Sequence, residues 1–152
     1  MGVLYDDIFD TALAFHRREA ENSCLHRASE AAGSVRGLSS AQLNGIVNLA
    51  IHAGSVEEIT TELSKRNEKR WKSEKSAGPF PQRLRPDILE LKKLAHEVVK
   101  QTEQALDQAF EAQGSGQRPA GRNWLAELHL ALTKRYLTAL VGFAQSQGGT
   151  HA

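Results

Sequence analysis

The chain has a single cysteine, Cys24, in 152 residues, so no internal disulfide can form and a reducing cytoplasm is its natural compartment. It has no apolar run approaching the ~20 residues of a membrane span. Its opening residues, MGVLYDDIFD, are acidic where a signal peptide is basic, so no secretory leader is expected. Gly2 begins a myristoylation pattern, but Asp6 stands where Ser or Thr is required and the pattern fails. The expectation is a soluble cytoplasmic protein that does not engage a membrane.

Patterns for metal and phosphate chemistry are equally scarce. His16, His26, His52, His96, His129 and His151 are scattered, and no two stand at the three- or four-residue spacing that puts two ligands on one helix face. Cys24 and His26 are two apart, which on a helix aims them in different directions. Gly114 and Gly116 lack the following Lys-Ser/Thr of a phosphate-binding loop, and no strand precedes them. Neither a metal nor a cofactor is expected.

No stretch alternates apolar and polar residues for long enough to predict a strand, whereas helical periodicity runs throughout. A first helix is predicted from about Leu4 to Ala32, with Ile8, Leu13, Ala14 and Leu25 on its buried side and Gly33 and Gly37 bracketing the turn after it. Ser39 or Ser40 caps a second, buried through Leu43, Ile46, Val47, Ala50 and Ile51 and ended by Gly54. Ser55 and Glu58 form a capping box for a third, with Val56, Ile59 and Leu63 inward. Ala77-Gly78-Pro79-Phe80-Pro81 reads as a non-helical connection. Pro86 fits the first turn of a fourth helix, with Asp87 favouring its positive end. Ile88, Leu91, Ala95, Val98, Thr102, Ala105 and Ala109 form its seam. Gln113–Gly121 is a loop by composition, and Asn123 caps a last helix buried through Leu125, Leu128, Leu132, Leu137, Leu140 and Phe143. One all-α domain over residues 1–152, a bundle of about five helices without repeats, is expected.

The net charge of +1 conceals an asymmetry. Residues 1–63 hold four Lys/Arg against nine Asp/Glu, residues 64–93 hold ten against four, and residues 94–152 hold five of each. "SKRNEKRWKSEK" (Ser64–Lys75) is the densest part, and it starts where the buried stripe of the third helix stops at Leu63. If that helix runs on to Lys75, Lys65, Lys69 and Lys72 share one stripe and Arg66 and Arg70 the next, over about 15 Å. That length suits a few phosphates of a nucleic-acid strand. Trp71 stands among the charges, where an aromatic can stack on a base or lie against the bundle. Arg83 and Arg85, then Lys92 and Lys93, extend the basic run. A solvated helix end, with Glu68 and Glu74 offsetting part of the charge, is the competing reading.

A second constellation resembles a catalytic motif. In Arg122-Asn123-Trp124-Leu125-Ala126-Glu127-Leu128-His129, an arginine and a polar residue precede a histidine, similar to the arrangement in helical ribonucleases of the HEPN superfamily. Seven residues apart on a helix, Arg122 would stabilise charge on a phosphorane and His129 would move protons, without metal. The competing reading makes Arg122 a loop residue and His129 a partly buried helix residue.

Three further segments resemble one family. "GLSSAQLNGIVNLA" (Gly37–Ala50) is similar to the Leu-Thr-Thr-Ser-Gln-Leu-Arg helix start of the small helical subunit of type III CRISPR–Cas effector complexes, the Csm-type small subunit. Asn44 stands where that family usually has Arg. "EITTELSKRNEKR" (Glu58–Arg70) resembles the family's next helix and its basic end. "YLTALVGFAQSQGG" (Tyr136–Gly149) resembles its closing segment before two glycines. The resemblance implies a non-catalytic role in which copies of the chain stack beside the backbone and large subunits and flank guide RNA and target RNA. Phosphate contacts are then expected from Lys65, Arg66, Lys69, Arg70, Lys72, Arg83 and Arg85, with Gln42 and Trp71 as neighbours.

Overall fold

Apolar residues at spacings of three and four do wind this chain into helices, and side-chain caps set several of their ends. A computed structural model describes residues 2–35, 38–66, 80–112 and 123–149. They form α1 (Gly2–His16), α2 (Arg18–Ala31), a 3₁₀ turn (Ala32–Val35), α3 (Ser40–His52), α4 (Val56–Arg66), α5 (Phe80–Ala112) and α6 (Trp124–Gly149), with no strand among them. The expected all-α bundle is present, with six α-helices where about five were predicted.

The additional helix arises at Arg17, which divides the single helix predicted over Leu4–Ala32. Its φ of −78° and ψ of −4° keep the right-handed region but open the turn. The ladder survives on both sides, Arg17 N–H donating to the Leu13 carbonyl and Glu21 N–H to the Arg17 carbonyl, both at 2.9 Å. The bend lets α1 lie on α5 while α2 packs chiefly on α6. Within residues 7–16 of α1 the buried residues are Phe9 and Leu13; Ile8, predicted to be buried, is 37% exposed, and Ala14 also faces outward.

Three caps behave as local chemistry dictates. Ser39 Oγ accepts from Gln42 N–H at 3.2 Å while Gln42 Oε1 accepts from Ser39 N–H at 2.8 Å, a reciprocal box at the start of α3. At α4 only half of the predicted box forms: Ser55 Oγ accepts from Glu58 N–H at 3.1 Å, but Glu58 Oε2 takes the Gly54 N–H at 2.8 Å in place of that of Ser55. Asn123 Oδ1 accepts from Ala126 N–H at 3.1 Å and starts α6. Each such cap contributes about 1 kcal/mol. Gly54 does not itself end α3: the helix stops at His52, and Ala53 turns extended with its N–H on the Leu49 carbonyl. Ile51, predicted to face inward, is 60% exposed in the last turn of α3.

Helix α5 begins at Phe80, six residues before the predicted start at Pro86, and takes in Phe80 and Pro81 from the segment read as non-helical. Pro81 falls in the first turn, where its missing N–H would have had no partner. Pro86, an exposed residue, lies inside the helix and withholds one ladder bond. The seam of Ile88, Leu91, Ala95, Val98 and Thr102 is buried as expected and continues through Leu106, whereas Ala105 is exposed.

Helix α6 is the central element, in contact with α2, α3, α4 and α5. It buries Leu128, Leu132, Tyr136, Leu137 and Leu140, with Leu125 and Phe143 half-buried. Each fully buried leucine contributes about 1.5–3 kcal/mol. Trp124, which the sequence reading did not place in the core, is buried with its ring centroid 4.6 Å from that of Phe9. Asp87, expected in the first turn of the helix, is its eighth residue and lies in the core, 5% exposed. Tyr136 Oη donates to its Oδ2 at 2.5 Å, and Arg27 NH1 approaches its Oδ1 at 3.5 Å. Among the described residues no helix is long and apolar enough to cross a membrane.

Candidate nucleic-acid interface

The apolar stripes of α4 and α5 decide which cations reach the surface. Ile59 and Leu63 turn one side of α4 into the core, and Lys65, one residue past Ser64, is exposed on the other. Arg66 is the last residue of α4. Lys69, Arg70, Trp71 and Lys72 lie outside the described residues, as does the predicted extension of the helix to Lys75. Arg83 falls in the first turn of α5, and Arg85 is exposed two residues later. Since α4 packs on α5, Lys65 and Arg85 belong to adjoining elements.

Gln42 has a defined local task. Its side-chain oxygen is taken by the Ser39 N–H, and the residue is half-buried in the first turn of α3. Gln42 and Lys65 each lie toward the ends of α3 and α4 remote from the three-residue connection between those helices.

The basic run expected through Arg85, Lys92 and Lys93 continues on α5 to His96 and Lys100. On α5, Arg85, Leu89 and Lys93 follow one another at four-residue steps, and Lys92, His96 and Lys100 do the same beside them. All six are exposed. From Arg85 to Lys100 the stripe runs about 22 Å along the axis. It lies opposite the buried seam, so the signal that could have found it was the four-residue recurrence of cations out of phase with Ile88, Leu91, Ala95 and Val98. Beside it lies a pocket of ≈ 480 Å³ whose walls include Pro86, Leu89, Lys92, His96 and Leu125.

The Arg122–His129 pair is only half described, Arg122 lying outside the described residues. His129 is buried, with Nε2 2.9 Å from the Ile88 carbonyl. A carbonyl oxygen only accepts, so Nε2 carries the proton and Nδ1 the lone pair. Burial pushes the imidazole below its ordinary pKa; the Ile88 bond works against that shift and the Lys92 charge adds to it. His129 also lines a pocket of ≈ 430 Å³ with Gly54, Ser55, Lys92 and Asn123.

Cys24 and His26 point apart, as their spacing requires. Cys24 is fully buried, its Sγ 3.6 Å from the Leu132 carbonyl, while His26 is exposed and pairs with Glu30 at 2.8 Å. Among the described residues no three His, Cys, Asp or Glu side chains are grouped to hold a metal ion. No family model matches the chain, and neither a curated protein nor a solved structure matches it.

Proposed function

We propose that this chain is a non-catalytic small subunit of a CRISPR RNA-guided effector complex. In this reading copies of it stack beside the complex's backbone and large subunits in the cytoplasm and support guide and target RNA through a basic face. The observation that carries the reading is the outward placement of Lys65 and Arg85 on adjoining helices, continued along α5 by Lys92, Lys93 and Lys100. The resemblance of Gly37–Ala50, Glu58–Arg70 and Tyr136–Gly149 to the Csm-type small subunit supports the choice of complex. Phosphates are the natural ligand of such a face, because neutralising them releases counterions whatever the base sequence.

Incubation with end-labelled single-stranded RNA in the absence of metal separates this function from the ribonuclease reading. The proposal predicts retarded but intact RNA. Cleavage that disappears in both Arg122→Ala and His129→Ala variants would replace the scaffold with a HEPN-type ribonuclease.

A further inference from the structure

We infer that the pocket on α5 around Leu89 seats one unstacked base of single-stranded RNA, flanked by phosphate contacts from Lys92 and Lys93. The inference rests on the proposed RNA-supporting function and adds to it a base contact that a backbone-only surface lacks.

Leu89 is 57% exposed one turn after Arg85 and one turn before Lys93. With Pro86 and Leu125 it gives the ≈ 480 Å³ pocket its apolar wall, and Lys92, Lys93 and His96 also line it. Glu90 is the acidic residue lining that pocket, and its charge is offset by Lys93 Nζ at 3.1 Å and Arg27 NH2 at 3.9 Å. Lys92 forms no ion pair among the described residues, and neither does Arg85, one turn before Leu89.

An apolar seat with lysines beside it matches the build of a nucleotide, which has an uncharged ring face and an anionic link on either side. An amphipathic partner helix fits less well. Helix docking uses several apolar anchors at three- and four-residue steps, and between Arg85 and Lys100 the exposed apolar residues are Pro86 and Leu89, with none in the three turns that follow.

Fluorescence anisotropy with two oligomers of equal charge tests the seat: a uridine 12-mer and an abasic ribose-phosphate 12-mer. The native chain should bind the base-bearing oligomer about fivefold or more tightly than the abasic one. Leu89→Ser, a change at an exposed position, should remove that preference while leaving the salt slope untouched. Lys92→Ala with Lys93→Ala should lower the slope by about 0.7 per lysine. Equal affinity of the native chain for both oligomers, or a Leu89→Ser variant that keeps the preference, overturns the base seat and leaves the RNA-supporting function standing. Failure to bind either oligomer overturns both. A Leu89→Ser variant that changes the sedimentation mass but not the RNA preference identifies a protein contact instead and also overturns the seat.

Discussion

The Tyr136 hydroxyl donates to the Asp87 carboxylate at 2.5 Å, joining the centre of α6 to the first third of α5 inside the core. Arg27 from α2 approaches the same carboxylate at 3.5 Å. A buried carboxylate needs such donors, since an unpaired one bears the full cost of leaving water. Tyr136→Phe removes the short bond while keeping the ring, and should destabilise the fold by about 1–3 kcal/mol. Arg27 is 30% exposed and its contact is longer, so Arg27→Gln should cost about 1 kcal/mol or less. Urea titrations with unchanged m-values check both.

The His129 imidazole makes stability depend on pH. Its folded-state pKa lies below the ordinary value of 6.5, so the unfolded chain takes up this proton first as pH falls. The stabilising contribution is complete above the unfolded value and is lost as pH drops from there through the folded one. The unfolding free energy of the native chain minus that of His129→Leu, measured across that range, should therefore fall as the solution is acidified. Curves that stay parallel would mean that His129 titrates alike in both states.

Burial pushes the Cys24 thiol up to about 11, and its Sγ faces the Leu132 carbonyl in the core. The thiolate is the reactive form, so Cys24 should be inert to a disulfide reagent in the native chain at pH 8. It should react fully once the chain is unfolded in denaturant. Burst labelling under native conditions would contradict the packing of α2 on α6.

Much of this fold was legible because helix periodicity and capping are local. The seam from Ile88 to Thr102 and the caps at Ser39 and Asn123 needed only residues three or four apart. What escaped depends on distant partners or on small backbone changes. Nothing in the composition around Arg17 marks a break, since a single ψ near zero requires neither glycine nor proline. Phe9, not Ile8, turns into the core, where it meets Trp124 from the far end of the chain. Asp87 read only as a first-turn acid, because Arg27 and Tyr136 lie 60 and 49 residues away in sequence. The basic site was legible as a charge surplus. Its continuation along α5 was only partly so, because the placement of Leu89 and His96 depends on which side of that helix is buried.

The salt dependence of RNA binding tests the central claim most directly. Binding of a single-stranded RNA should weaken linearly on a log–log plot against salt, with about −0.7 in slope for each phosphate neutralised. Changing Lys65, Arg66, Lys69 and Arg70 together to Ala should flatten that slope by about two or more while helicity, read by circular dichroism, stays at the native level. An unchanged slope in the quadruple variant would contradict the assignment of this face to RNA.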